Sequence, residues 1–128
     1  MYESLQQMQE ICETENKAFW ELVMEEEANE KQNSHEEVFE MMRSMYRAMV
    51  QADENYEDRR SASQMTGGAG ELMAKWNRDE KTLSGPFLGQ VMERALKMAE
   101  SNACMKRIVA APTAGSCGVL PAVMITYQ

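Results

Sequence analysis

The sequence predicts a mainly α fold: a helical bundle-like domain with two Gly-rich loops, incomplete at its C-terminus. Three observations predict it. Apolar residues recur at spacings of three and four over most of the 128 residues. Small, hydroxyl-bearing and Gly residues concentrate in two places, residues 61–70 and 113–118. An apolar segment after the second of these is still helical in pattern at Tyr127-Gln128.

Leu5, Met8 and Cys12, with Ile11 beside them, fall at helical spacing and predict a short amphipathic helix over residues 2–13. A second helix follows from about Asn16, where Phe19, Trp20, Leu22 and Val23 form a broad apolar stripe ahead of the solvated charge run Glu25, Glu26 and Glu27. Ser34 with Glu37 three positions later has the form of a capping box, in which each side chain satisfies the other residue's free backbone N–H. It opens the best helix of this half, with Val38, Met41, Met42, Met45 and Met49 on one face. His35, the only histidine, falls in its first turn and reads as a surface residue. Residues 53–60 alternate in charge without an apolar period and read as a helix end or linker.

Residues 61–70 form a long loop, residues 71–76 a short helix and residues 77–85 a polar turn region. Pro86 then starts the clearest long helix, with Leu88, Val91, Met92, Ala95, Ala99 and Asn102 along an alanine-rich face that ends near Met105. Small residues on that face allow close helix approach. Asn102 either points toward a site or caps the helix end. Residues 108–111 are too short to separate strand from extended connector, and Pro112 biases Ala111 away from helix.

Charge divides the chain unevenly. Residues 1–60 hold 16 acids against 6 bases, net −10, whereas residues 61–128 hold 5 against 7, net +2. One domain overall is expected, with an acidic helical region over 1–60 and the chemistry over 61–128. An acidic first half argues against phosphate neutralisation, so no nucleic-acid partner is expected. No apolar stretch approaches a membrane span and the first residues are polar, so no membrane partner is expected either. Three scattered cysteines, Cys12, Cys104 and Cys117, form no CxxC pair and fit a reducing, cytoplasmic setting. Thirteen methionines supply malleable packing or partner surfaces.

The most informative stretch is Arg107-Ile108-Val109-Ala110-Ala111-Pro112-Thr113-Ala114-Gly115-Ser116-Cys117-Gly118-Val119-Leu120-Pro121. An apolar run meets a Gly-rich turn and then a helix start, with Pro121 expected in the first helical turn. Gly115, Ser116 and Gly118 let the main chain approach a ligand, and the first-turn N–H groups with the helix dipole favour a carboxylate or phosphate. Thr113 and Ser116 add hydroxyls. Cys117, at a helix N-terminus, reads as a small residue lining the turn or as a thiolate and low-ranking metal ligand. In the upstream loop Ser61, Ser63 and Thr66 offer hydroxyls and Gly67-Gly68 frees adjacent N–H groups, a set suited to an amino-acid carboxylate. The same composition also serves a flexible linker.

RIVAAPTAGSCGVLPAV, preceded by Asn102-Ala103-Cys104-Met105, resembles the signature of the alpha chain of iron-sulfur-dependent L-serine dehydratase (L-serine ammonia-lyase). Ser61-Ala62-Ser63-Gln64-Met65-Thr66-Gly67-Gly68 and Lys81-Thr82-Leu83-Ser84-Gly85 are similar to that family's earlier blocks. The likeness is dense from Ser61 onward and looser before it. Lys106 stands where the family usually has Gly. The resemblance implies dehydration of L-serine to pyruvate and ammonia, with a 4Fe-4S cluster held by three Cys thiolates and its open iron on the serine hydroxyl. It also implies a separate beta chain as partner and L-serine as substrate. It places the cluster cysteines after the Thr113–Gly118 turn, downstream of Gln128, so these residues read as an N-terminal fragment lacking metal ligands. Within that reading Ser61, Ser63, Thr66, Gly67, Gly68, Asn102, Thr113, Gly115, Ser116 and Gly118 are the substrate-binding candidates, and the catalytic base is not among the residues that can be named. The competing expectation is a non-catalytic acidic helical module that binds a partner subunit through Met-rich faces.

Overall fold

The computed structural model describes residues 2–79 and 83–128. Lys81 and Thr82 of the upstream block lie outside the described residues. Among the described residues the chain is mainly α, with six helices and no strand. It divides into two compact units, Met1–Ser44 and Met45–Gln128.

In the first unit α1 spans Leu5–Glu15 and α2 spans Phe19–Lys31. Ser4 caps α1, its hydroxyl accepting from the Gln7 N–H at 3.2 Å, so the helix starts three residues later than its periodicity predicts. Asn16 ends α1 and Gln32 ends α2, both in the left-handed region, and each donates its N–H back to the helix. At the start of α2 the Glu21 carboxylate accepts from the Ala18 N–H at 2.8 Å, and alanine offers no oxygen in return. Lys17 bridges Glu15 and Glu25 at 2.7 and 2.8 Å, tying the α1–α2 turn to the body of α2. Leu22 and Ala28 are buried on α2, whereas Phe19, Trp20 and Val23 of the predicted stripe are exposed.

Helix α3 spans His35–Glu54. Its capping box forms as predicted: Ser34 N–H donates to Glu37 at 2.7 Å, and Glu37 N–H donates to the Ser34 hydroxyl at 3.2 Å. His35 is exposed. Of the predicted methionine face, Val38 and Met49 are buried while Met41, Met42 and Met45 are exposed. Periodicity therefore marks the stripe correctly but not how much of it is covered, because coverage depends on which neighbours reach it.

In the second unit α4 spans Ala69–Arg78, α5 spans Gly85–Ala103 and α6 spans Ser116–Tyr127. Helix α5 is the centre of this unit and packs against both α4 and α6. Met49, Ala52, Ala74, Val91, Met98, Pro121 and Ala122 supply the buried apolar side chains. Close crossing of α4 over α5 needs Gly70: a Cβ there would meet Lys97 Cγ at 2.6 Å and Glu100 Oε2 at 3.1 Å. Residues 108–111 carry no regular secondary structure and pair with no strand among the described residues.

Two expectations are corrected. Pro121 is not in the first turn of α6, because the helix already begins at Ser116, which puts the proline inside it. Its ring is fully buried and its missing N–H leaves the Cys117 carbonyl without the usual helical donor. The alanine-rich face of α5 is also largely open: Leu88, Met92, Ala99 and Asn102 are exposed, and the buried positions are Gly89, Val91, Met98, Glu100 and Ser101. No helix among the described residues is long and apolar enough to cross a membrane.

Replacing Gly70 by Ala should cost about 1–3 kcal/mol, because the new methyl must push α4 away from α5. A lower urea midpoint at unchanged slope is the expected reading; an unshifted midpoint would mean that the crossing has slack.

Candidate functional site

The stretch Ala111 to Gly118 is knitted by its own side chains. Thr113 N–H donates to the Ser116 hydroxyl at 3.1 Å, the Ser116 hydroxyl donates to the Thr113 carbonyl at 2.7 Å, and the two hydroxyl oxygens lie 3.0 Å apart. Ser116 N–H returns to the Thr113 carbonyl at 3.1 Å. Ala111 N–H points at the Cys117 sulfur at 3.2 Å. Thr113 and Ser116 are thus held in one arrangement before any ligand arrives. Thr113, Ala114 and Gly115 are exposed, while Ser116, Cys117 and Gly118 are half-buried.

Gly118 brings this turn against α5, where a Cβ would sit 3.4 Å from the Ala95 carbonyl oxygen. A cavity of about 280 Å³ opens beside that contact, lined by Asn102, Gly115, Cys117 and Gly118 with apolar walls that include Leu96 and Val119. The structure therefore joins Asn102 to the second Gly-bearing turn. It also places Asn102 one residue before the end of α5, where its carbonyl accepts from Met105 N–H at 3.0 Å.

Residues 61–66 close a ring of their own. Ser61 N–H donates to the Thr66 carbonyl at 2.8 Å, Thr66 N–H donates to the Ser61 hydroxyl at 3.3 Å, and the hydroxyls of Ser61 and Ser63 lie 3.1 Å apart. Ser61 is buried and works inside the ring, whereas Ser63 and Thr66 are exposed at its rim. Gly67 follows at φ 139, and a Cβ on it would fall 2.9 Å from the Arg59 carbonyl oxygen, so only glycine fits. Gly67 and Gly68 are half-buried. A second cavity of about 280 Å³ places Ala62 of this loop beside Ala103, Cys104 and Met105. The two loops thus border different cavities at the C-terminal end of α5.

Lys106 donates to the Asn55 carbonyl at 2.6 Å and pairs with Glu57 at 3.1 Å. Arg59 donates to the Cys104 carbonyl at 3.1 Å, and the Cys104 thiol donates to the Arg59 carbonyl at 3.6 Å. The segment leading into the first loop is therefore pinned to the segment leaving α5.

The polar cleft between the end of α3, α4 and α5, about 590 Å³, is lined by Asp53, Tyr56, Asn77, Glu93, Arg94 and Lys97 among others. Four of its charged groups pair internally: Arg94 bonds Asp53 and Lys97 holds Glu93 at 2.8 Å, while Asn77 donates to Glu93 at 2.8 Å. Burial pushes the Asp53 carboxyl above its ordinary value despite Arg94. Burial also raises Glu93, but the hydrogen bonds from Lys97 and Asn77 outweigh it and hold that carboxyl below its ordinary value.

Composition did not mark Glu100, which is buried within α5 at 4% exposure. Its Oε1 accepts from Ala69 N–H at 2.6 Å and Gly70 N–H at 3.2 Å, and its Oε2 accepts from the Tyr56 hydroxyl at 2.8 Å. One signal was available: α4 begins after Gly67-Gly68, which offers no capping oxygen, so its first N–H groups had to find an acceptor elsewhere.

The profile of the serine dehydratase alpha chain family matches residues 14–128, and this α-helical chain belongs to that family. It is 28% identical over 127 residues to the L-serine dehydratase alpha chain of Peptoniphilus asaccharolyticus, covering 98% of this chain and 44% of that protein. It is 29% identical over 131 residues to the probable L-serine dehydratase alpha chain of Bacillus subtilis (strain 168), covering all of this chain and 43% of that one. The chain thus spans less than half the length of the curated relatives it matches. No solved structure matches it.

Glu93→Gln tests the cleft's electrostatics. A carboxyl depressed by folding adds stability that is present above its unfolded value, about 4.3, and is lost as pH falls through the lower folded value. Urea midpoints at pH 7 and pH 3 should therefore show a smaller acid loss for the variant than for the native chain. Equal losses would uncouple Glu93 from folding.

Proposed function

We propose that this chain forms the amino-acid-binding part of an L-serine dehydratase, which removes water from L-serine to give pyruvate and ammonia. The observation that carries the reading is the single cavity shared by Asn102, Gly115, Cys117 and Gly118 at the end of α5, in a chain whose family match runs through that turn. Thr113 and Ser116, adjacent in the chain to the cavity-lining Ala114, Gly115 and Cys117, are the turn's hydroxyl groups in this reading, and the backbone around Gly115 and Gly118 offers close approach. Ser63, Thr66 and the Gly67-Gly68 backbone take the carboxylate at the other loop, with Ser61 fixing their ring.

The 4Fe-4S cluster implied by the family resemblance does not fit the cysteines of this chain. The second unit holds two cysteines, Cys104 just after α5 and Cys117 in the first turn of α6, one short of the three thiolates that such a cluster takes. Among the described residues no three His, Cys, Asp or Glu side chains come together as a metal site. In this reading the cluster ligands belong to the rest of an alpha chain. The face of α6 fits that division: Val119, Leu120, Val123 and Met124 are exposed on a helix that is apolar on every side, the composition of a helix covered all round. The beta chain completes the assembly, and the three free thiols suit a reducing cytoplasm.

Exposed Phe19, Trp20, Val23, Phe39 and Met42 favour a second, compatible role for the acidic helices, that of docking a partner subunit.

In an enzyme assembled from this chain, the remainder of an alpha chain and a beta chain, replacing Thr113 and Ser116 together by Ala should lower kcat by about 10²-fold or more. Turnover equal to the native assembly would remove the turn from the site.

A further inference from the structure

From the contacts of one buried carboxylate we infer that Glu100 is the positioning residue of the loop over residues 57–68, holding both of its ends at a single point. The inference rests on the reading that residues 61–68 face the amino acid, and it assigns a role to a residue that touches no substrate.

Tyr56 is the last residue before the loop and Ala69 the first after it. Oε2 of Glu100 takes the Tyr56 hydroxyl at 2.8 Å, and Oε1 takes the N–H groups of Ala69 and Gly70 at 2.6 and 3.2 Å. A carboxylate with 4% exposure must be hydrogen-bonded on both oxygens, and here all three bonds come from the loop's two feet. The N–H groups are those of the first turn of α4, where the helix dipole favours a negative charge. Burial pushes the Tyr56 hydroxyl above its ordinary value, and the Glu100 charge adds to that, so Tyr56 remains a neutral donor. Lys97 sits over the Tyr56 ring at 5.1 Å and fixes its plane. Gly70 leaves room for the carboxylate, since a Cβ there would stand 3.1 Å from Oε2.

Between these feet the ring at residues 61–66 is closed by its own hydrogen bonds. The loop is therefore a preformed ring on a two-footed mount. Release of the mount leaves the ring intact but lets it swing, which spoils the placement of Ser63, Thr66 and the Gly67-Gly68 backbone without removing any of them. Glu100→Gln preserves the mount: its carbonyl oxygen still accepts from Ala69 and Gly70, and its NH₂ donates to the Tyr56 oxygen.

The test is residue-resolved amide exchange on this chain, followed by L-serine KM in the assembled enzyme. Glu100→Ala should speed exchange at Ala69 and Gly70 at least tenfold, with Val123 and Met124 of α6 unchanged and Glu100→Gln close to native. The KM for L-serine should rise about tenfold in Glu100→Ala and return with Glu100→Gln, kcat changing less. Faster exchange spread equally over α6, or equal loss in Glu100→Gln, would overturn the mount. Should Glu100→Ala fail to fold, Tyr56→Phe carries the test: exchange at residues 55 and 56, whose N–H groups bond the Gln51 and Asp53 carbonyls, should quicken while Ser61 and Thr66 stay protected inside the ring, and unchanged exchange at 55 and 56 overturns it. A mount that behaves as expected with an unchanged KM would leave Glu100 in place and remove residues 61–68 from the substrate site instead.

Discussion

A buried carboxylate that pairs with no cation among the described residues organises the second unit. Glu100 sits within α5 and accepts from the first turn of α4 and from Tyr56, which follows α3. Desolvating a carboxylate costs several kcal/mol. Three hydrogen bonds to a charged acceptor contribute about 1.5–3 kcal/mol each, which offsets that cost without a large surplus. What the arrangement supplies is therefore position more than stability. Any displacement of α4 or of Tyr56 leaves a charged oxygen buried and unpaired, so the three elements have one acceptable register. Gly70 belongs to the same constraint, because α4 can reach the carboxylate only where no Cβ intervenes.

The C-terminal end of α5 inherits this rigidity. Arg59 and Cys104 exchange hydrogen bonds, and Lys106 fastens the chain after α5 to residues 55 and 57. Asn102 and the turn at 113–118 border one cavity there, and Ala62 borders the next. Lys106 makes its link through charge and reach: its ammonium spans to the segment ahead of the first loop.

Helix α6 shows the opposite balance. Its residues are apolar on every side, yet only Pro121 and Ala122 are buried against the rest of the unit. The relatives extend over more than twice the matched length, and an apolar helix half uncovered is the form expected of a layer within a larger body. The open alanine-rich face of α5 adjoins it. The polar cleft by α4, in contrast, is lined mostly by charged and polar side chains, of which Asp53 with Arg94 and Glu93 with Lys97 form ion pairs.

Local chemistry sets what could be read from the chain without its fold. Ser34 and Glu37 announce a capping box because both partners lie within one turn, and the apolar spacing announces six helices within a few residues of their ends. The Gly-Ser-Cys-Gly stretch was legible as small residues ahead of an apolar helix, but α6 begins at Ser116 and takes Ser116, Cys117 and Gly118 of the expected loop into its first turn. Pro121 misled: its preference for a first turn is a local rule, and burial of its ring inside α6 overrode it. Met41 and Met45 misled in the same way, as spacing defines a face but not its neighbour. Sequence by itself thus determined the helices, the Ser34–Glu37 capping box, the small-residue stretches and, through those stretches, the family. Only the tertiary structure decided that Glu100 holds Tyr56 to α4, that Asn102 shares a cavity with Gly115 and Gly118, and which apolar faces stay open. Those facts join residues 31 and 44 positions apart in the case of Glu100, and contacts at that range depend on how helices cross, which no local pattern encodes.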